Sequence, residues 1–274
     1  MHLSSIGRSR ATTHFKSQSR LELFIIALCA LCVLSGCDFS GKREFQKLKR
    51  LEERVRKNPR DKEAIDEIVA KAHGRSWFIR GNAVGTLGRL AHDFPQLLNT
   101  VLPILIHSLE TGDQWEQRTA VEQLIELAGI TSFAAIPALT KALGAGDVDV
   151  AWFSAEALGK YGPVHEVSNA VPALAKALTL PTYPGAQDEA PQLRVFAATS
   201  LGRIGASNPK VALTALKQAM ASDNPFLSLE AAKAVCLLEP ENQDSLAVLQ
   251  NFTTSSRRYL RDDATWFLKA RAQK

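Results

Sequence analysis

Apolar residues recur along this chain in two series that keep the same spacing. Members of the first series open five-residue segments that align with one another, and members of the second lie between them. Successive members are 33 to 43 residues apart in both series. The first series comprises Leu87, Leu124, Leu158, Leu201, Val235 and, more weakly, Leu268, and the second comprises Leu105, Leu139, Leu174, Leu216 and Leu249. Two series that advance together predict an internal repeat.

Each repeat unit is predicted to contain two helices. The first helix, for example residues 150–160, has apolar residues at helical spacing and is expected to stop at Gly162-Pro163. Asp147, just before it, is the expected N-cap. The second helix, for example residues 169–178, opens near a proline, which a first turn tolerates because that backbone nitrogen has no helical partner. Prolines occupy matching places at Pro103, Pro137 and Pro172. One such helix pair cannot bury its apolar face alone, so the units are expected to stack.

The repeat resembles a known helical repeat family. Residues 135–143, 155–162 and 193–205 are similar to the short HEAT-like repeat of the phycobilisome-lyase type. The resemblance covers about residues 63–272 and implies an all-α protein. Its expected fold is a right-handed α-solenoid of about six HEAT-like helix pairs over residues 63–274. This resemblance is specific for architecture and nearly silent on function.

The first 36 residues resemble a bacterial lipoprotein signal peptide. A basic, acid-free stretch is followed by residues 23–34, which are apolar and uncharged. That run is shorter than the roughly 20 residues of a membrane span and is typical of a secretory signal. Leu34-Ser35-Gly36-Cys37 is similar to a lipobox. The resemblance implies cleavage between Gly36 and Cys37 and a lipid on the Cys37 sulfur. The alternative is an uncleaved anchor with an incidental cysteine.

A basic segment follows over residues 37–62. Residues 38–62 hold ten Lys/Arg and five Asp/Glu, so the surplus of basic residues, with a formal net charge of +5 for the whole chain, lies near the N-terminus. It is therefore not the nucleic-acid footprint of a folded domain. A narrow apolar stripe predicts a helix that ends at Asn58-Pro59, and this stripe consists of Phe45, Leu48, Leu51 and Val55. This helix either lies on lipid headgroups or serves as a cap or spacer before the first repeat.

This sequence contains no recognisable set of catalytic residues. Iron-dependent deoxyhypusine hydroxylases resemble this fold and carry His-Glu pairs on their first helices. The corresponding positions here hold Gly81, Arg118, Trp152, Val195, Leu229 and Asp262. The single His165-Glu166 pair is expected in a turn and is too few ligands for iron. Cys236 lies in an apolar stretch and is expected to be a buried, unreactive thiol. We therefore expect no enzyme activity, metal or cofactor.

Two features are candidates for interaction. Residues 180–192 lengthen one repeat step and are predicted to be a long connection between repeats. Its candidate residues are Pro181, Tyr183, Pro184, Asp188 and Glu189, and a neutral insertion is the alternative reading. Aromatic residues also mark the starts of the first helices, where packing between repeats is the simpler interpretation. They are Trp77, Trp115, Trp152, Phe153, Phe196, Phe226, Trp266 and Phe267.

The sequence as a whole favours a membrane-tethered scaffold or adaptor that binds another protein through its repeat surface. An envelope protein that binds a cell-wall polymer is one alternative, and an enzyme of the HEAT-like lyase or hydroxylase type is another. No nucleic-acid partner is expected. The lipobox resemblance places the protein in a bacterial cell envelope, and Asp38 after the cysteine resembles an inner-membrane retention signal.

Overall fold

The computed structural model describes residues 39–130, 133–179 and 190–273. These residues form thirteen α-helices, four short 3-10 turns and no strand. The helices are α1 (Phe39–Lys57), α2 (Lys62–Ala72), α3 (Trp77–Asp93), α4 (Leu98–Thr111), α5 (Gln114–Leu127), α6 (Ile136–Ala142), α7 (Val148–Lys160), α8 (Ala170–Ala177), α9 (Ala190–Ile204), α10 (Pro209–Met220), α11 (Pro225–Leu238), α12 (Gln243–Phe252) and α13 (Arg258–Arg271). No helix among them is long and apolar enough to cross a membrane.

The chain divides into two compact units, Met1–Lys47 and Leu48–Lys274. In the first unit, the described residues 39–47 form the beginning of α1. The second unit contains the remainder of α1 and all the later helices.

The second unit is built as two layers of helices. Helices α3, α5, α7, α9, α11 and α13 pack one against the next and form the first-helix layer. Helices α4, α6, α8 and α10 pack successively in the second-helix layer. Each second helix also packs on first helices, and α2 and α12 pack beside α3 and α11 respectively. This arrangement confirms the predicted α-solenoid.

The two apolar series are the interior of that stack. All their members are buried except Leu268, which is partly exposed. Small residues let neighbouring first helices approach closely. At Gly81 a Cβ atom would overlap the indole of Trp115 on the next first helix, and a Cβ at Gly202 would lie 2.9 Å from Cα of Ala234. The repeat interfaces therefore depend on small residues as much as on the apolar anchors.

The helix boundaries follow the local capping chemistry. Asp147 accepts a hydrogen bond from the backbone N–H of Val150 at 2.9 Å, so the predicted N-cap of α7 is confirmed. α7 ends at Lys160, and Gly162 then adopts a φ of +73°, which glycine tolerates because it lacks a Cβ atom. Pro103 differs from the prediction. A 3-10 turn over Pro95–Leu97 leads into α4 at Leu98, so Pro103 lies inside the helix rather than in its first turn.

The predicted basic helix is α1, and its second half packs within the second unit, Leu48–Lys274. Leu48, Leu51 and Val55 are buried in the same apolar core as the first repeats. Arg56 of α1 also forms an ion pair with Asp93 at the end of α3, with an N–O distance of 2.5 Å. In this half of α1 the apolar stripe caps the stack, as one of the two interpretations of the sequence requires.

Candidate interaction surfaces

Several of the sequence-predicted site residues lie outside the described part of the chain. These are Gly36 and Cys37 of the lipobox-like segment, Asp38, and the loop residues Pro181, Tyr183, Pro184, Asp188 and Glu189. Lipidation and the role of the loop therefore stay predictions.

The described residues offer no group of three or more His, Cys, Asp and Glu side chains that could hold a metal ion. His165 and Glu166 are exposed in a 3-10 turn before α8. Cys236 is buried, as expected, and its sulfur lies 3.0 Å from the hydroxyl of Ser245.

The second-helix layer presents a repeated pair of exposed residues. A proline lies two positions before the buried leucine anchor, and a basic or imidazole side chain lies two positions after it. The two are four residues apart and so share one helix face. The pairs are Pro103 and His107 on α4, Pro137 and Lys141 on α6, and Pro172 and Lys176 on α8, and all six residues are exposed. We call the exposed side of α4, α6, α8 and α10 the second-helix face.

Lysine is the only charged residue type on three of these helices. α6 carries Lys141, α8 carries Lys176, and α10 carries Lys210 and Lys217, while none of the three contains Asp or Glu. Lys217 forms an ion pair with Glu239 at 2.7 Å. Exposed carboxylates of the described residues lie in the connecting turns that flank these helices, at Glu166 and Asp223. The helices themselves therefore present a row of positive charge.

Several charges in the first-helix layer are instead paired with one another across repeats. Arg80 of α3 binds Asp113 and Glu116, each at 2.9 Å. Arg118 of α5 binds Asp147 at 2.8 Å. Because these pairs join successive first helices, they belong to the stacking of the solenoid rather than to a ligand site.

A third ionic link connects α11 and α13. Lys233 lies 2.7 Å from Glu230 and 2.9 Å from Asp263, and its side chain is mostly buried. Burial by itself lowers the pKa of Lys233, but the two carboxylates more than offset this and hold the pKa above its ordinary value. The lysine therefore stays charged and bridges the two helices.

The aromatic set divides into packed and exposed members. Rings from successive first helices meet at Trp115 and Phe78, a residue outside the predicted set, with centroids 6.1 Å apart, and at Trp152 and Phe196, 5.0 Å apart. For these half-buried rings the expected packing between repeats is correct. Trp77, Phe226 and Trp266 differ, because 53%, 40% and 61% of their respective surfaces are exposed.

The structure also reveals a recurring contact that the sequence analysis missed. Seven residues before an anchor, a side chain donates a hydrogen bond to a backbone carbonyl in or beside the connection from the preceding helix. The donors and acceptors are Arg80 to Arg75, Arg194 to Leu178, Ser228 to Met220 and Arg261 to Ser255, at 2.7–3.0 Å. The recurrence of arginine at this position in three units was the available signal. These residues fix the turn between repeats.

Comparison with known proteins identifies the fold but no family. No family model matches the chain, and no curated protein matches it. Among solved structures, the chain is similar to an archaeal HEAT-like repeats protein from Thermococcus onnurineus NA1, with a TM-score of 0.56, 15% identity and coverage of 84% of this chain and 97% of that chain. A designed armadillo repeat protein in complex with the peptide (KR)4 matches with a TM-score of 0.54, 15% identity and coverage of 74% and 98%. An engineered protein matches with a TM-score of 0.57, 17% identity and coverage of 77% and 99%. These likenesses show the α-solenoid fold of HEAT-like and armadillo repeat proteins.

Proposed function

We propose that this protein is a lipid-tethered, non-enzymatic scaffold that binds an acidic segment of a protein partner along its second-helix face. The observation that carries the proposal is the lysine row on α6, α8 and α10, three adjacent helices without a carboxylate of their own. Repeat solenoids expose long surfaces of this kind to partners. One structural neighbour, the designed armadillo repeat protein, was solved with the basic peptide (KR)4, so it supports peptide binding by this fold and not the sign of the charge.

The spacing of the row favours an extended polypeptide. Lys141 and Lys176 occupy the same register on α6 and α8, which pack against each other. Axes of packed helices lie about 8–10 Å apart. An extended chain advances about 3.3 Å per residue, so a carboxylate at every third residue repeats at about 10 Å. The neighbouring exposed Pro137 and Pro172 supply apolar surface beside the two charges.

The proposed partner chemistry is tested with two peptides of identical composition. One fluorescein-labelled nonapeptide has Glu at positions one, four and seven among Ser and Gly, and the other has its three Glu together. We expect tighter binding of the spaced peptide by fluorescence anisotropy and weaker binding as salt screens the charges. Lys141→Glu/Lys176→Glu should weaken binding by about tenfold, because two attractions become repulsions.

A charge-matched variant controls for a general electrostatic effect. Lys57→Glu/Arg203→Glu reverses two exposed charges outside the second-helix face and should leave the affinity unchanged. Equal losses in both double variants would contradict the proposal. Binding to phosphatidylglycerol vesicles through Lys141 and Lys176, without peptide binding, would also overturn it and would assign the face to a membrane surface.

The lipid tether is supported by the sequence around Cys37 and has its own test. Cells that express the full chain are labelled with radioactive palmitate, and their membranes are separated. We expect the wild-type chain to carry label and to sediment with membranes, and Cys37→Ala to lose the label. Equal labelling of the two chains would exclude lipidation at Cys37.

A further inference from the structure

At three junctions, successive first helices of this protein meet through the same pair of positions. The residue two before an anchor contacts the residue five before the next anchor. Thr199 of α9 donates to Glu230 of α11 at 3.0 Å, and Lys233 of α11 binds Asp263 of α13 at 2.9 Å. A Cβ at Gly85 of α3 would likewise lie 3.2 Å from the side chain of Thr119 on α5. These three junctions identify the side of a first helix that receives the next one.

On α13 this receiving position is Trp266. No helix of the described residues covers it, and 61% of its surface is exposed. An open recess of about 310 Å³ lies beside it. The recess is lined by Thr253, Arg261, Asp262, Thr265, Trp266 and Lys269. Five of these residues belong to α13. They lie on the side that receives the next first helix at the three junctions described above.

The exposed stripe of α13 is complementary to itself. Asp262 and Lys269 are seven residues apart, or about two helical turns, and so lie on one face. If two copies of α13 pack antiparallel about a two-fold axis between Thr265 and Trp266, each Asp262 faces the partner's Lys269. Each Trp266 then lies against the partner's Thr265. Two-fold symmetry repeats the Asp262–Lys269 contact and the Trp266–Thr265 contact on both sides of the axis.

We propose that α13 is a self-association surface and that two copies of this protein pair through it, antiparallel and centred on Trp266. Trp is a favoured anchor of protein interfaces. Within its own helix Asp262 lies 3.3 Å from Arg258, and both side chains are mostly exposed. Arg261 lies 3.7 Å from the same carboxylate, and 58% of the Asp262 side chain is exposed, so the carboxylate remains accessible to a further cation from a partner. A helix of 14 residues is about 21 Å long, so this single helix pair forms a small interface and a weak dimer.

The pairing is tested by exchanging charges. The full chain is solubilised in density-matched detergent, and sedimentation equilibrium is recorded between about 1 and 100 µM. We expect the wild-type chain to dimerise in this range. Asp262→Lys and Lys269→Asp should each weaken the dimer at least fivefold, because like charges then face each other across the axis. The double variant Asp262→Lys/Lys269→Asp should restore it, because the pairs re-form with their signs exchanged.

Further variants separate this surface from the rest of the molecule. Trp266→Ala should weaken the dimer about tenfold, while far-ultraviolet circular dichroism confirms that the helices remain. Lys141→Glu/Lys176→Glu should dimerise like the wild type, so a failure here is distinguishable from a failure of peptide binding. A wild-type chain that stays monomeric at 100 µM would overturn the proposal. If the double variant Asp262→Lys/Lys269→Asp dimerises as weakly as the two single variants, the antiparallel geometry is excluded.

Discussion

A single hydroxyl separates one repeat from the others at the position four residues before the first-helix anchor. Five units have alanine there, at Ala83, Ala120, Ala197, Ala231 and Ala264, and one has Ser154. Ser154 is fully buried, and its Oγ has no hydrogen-bond partner within the described chain. A buried polar group without a partner costs about 1–3 kcal/mol. The serine is therefore a local weakness in the α7 interface.

Ser154→Ala should raise the free energy of unfolding by about 1 kcal/mol, because it removes an unpaired polar group at nearly constant volume. Ser200→Ala is the matched control. The Ser200 hydroxyl donates to the carbonyl of Ala155 at 2.7 Å, so its loss should lower the free energy of unfolding by about 1 kcal/mol. Urea unfolding of both variants measures the two values. A loss of stability in both would contradict the assignment.

At the scale of elements, two carboxylates near the α5–α7 junction have opposite electrostatic character. Burial alone raises the pKa of Asp147, but hydrogen bonds from Arg118, Gln114 and the backbone of Val150 bring that pKa below its ordinary value. Burial also raises the pKa of Glu122, and the attraction of Arg118 does not offset it. The ionised form of Asp147 therefore stabilises the fold, whereas the ionised form of Glu122 destabilises it.

Asp147→Asn should lower the free energy of unfolding at pH 7 by about 1.5 kcal/mol, since asparagine keeps the N-cap but loses the charged hydrogen bonds. The contribution of a carboxylate with a lowered pKa is present above the unfolded value, near 3.9, and is lost as the pH falls through the folded pKa. The difference between the variant and the wild type should therefore shrink below about pH 4.

Glu122→Gln should raise the free energy of unfolding at pH 7. A carboxylate with a raised pKa costs stability above its folded pKa, and this cost disappears below the unfolded value, near 4.3. The gain from the substitution should consequently vanish in the same acidic range. Thermal unfolding from pH 3 to pH 7 measures both variants. Gains or losses that persist unchanged at pH 3 would show that charge is not the cause.

At the scale of the second unit, Leu48–Lys274, the buried apolar side chains of the described residues form two clusters, and half-buried Met220 packs against both. One cluster extends from Leu48 to Val235. A second, smaller cluster joins α11, α12 and α13, and its buried members are Leu229, Ala232, Cys236, Leu249, Leu260 and Ala264. Stability in a linear stack is a sum of local and nearest-neighbour contributions. The α12–α13 region should therefore open independently of the main cluster.

Leu260→Ala tests this independence. The substitution removes a buried side chain at a cost of about 2–5 kcal/mol, and hydrogen exchange should become faster in α12 and α13 while α5 and α7 keep their protection. Leu124→Ala, in the main cluster, is the control and should speed exchange in α3, α5 and α7. Faster exchange along the entire unit in Leu260→Ala would mean that the two clusters unfold together.

The sequence by itself determined the repeat, the helical layers and several of the positions at which helices begin or end. The buried anchors, the Asp147 cap, the end of α7 before Gly162 and the burial of Cys236 all follow from residues within one or two turns of each other. These local signals do not depend on how the repeat units stack on one another. The same reasoning misplaced Pro103, because a 3-10 turn moved the start of α4 upstream.

Only the tertiary structure decided which distant residues are neighbours. Lys141 and Lys176 hold equivalent positions in the repeat, 35 residues apart, but only the packing of α6 on α8 and the exposure of both side chains show that they form a row. Trp266 is predicted at the start of a first helix like the packed rings before it, but it lies in the second half of α13, two positions before its anchor, and no described helix covers it. Burial and ionic pairing depend on stacking between units, whereas helical periodicity and capping depend on the chain within each unit.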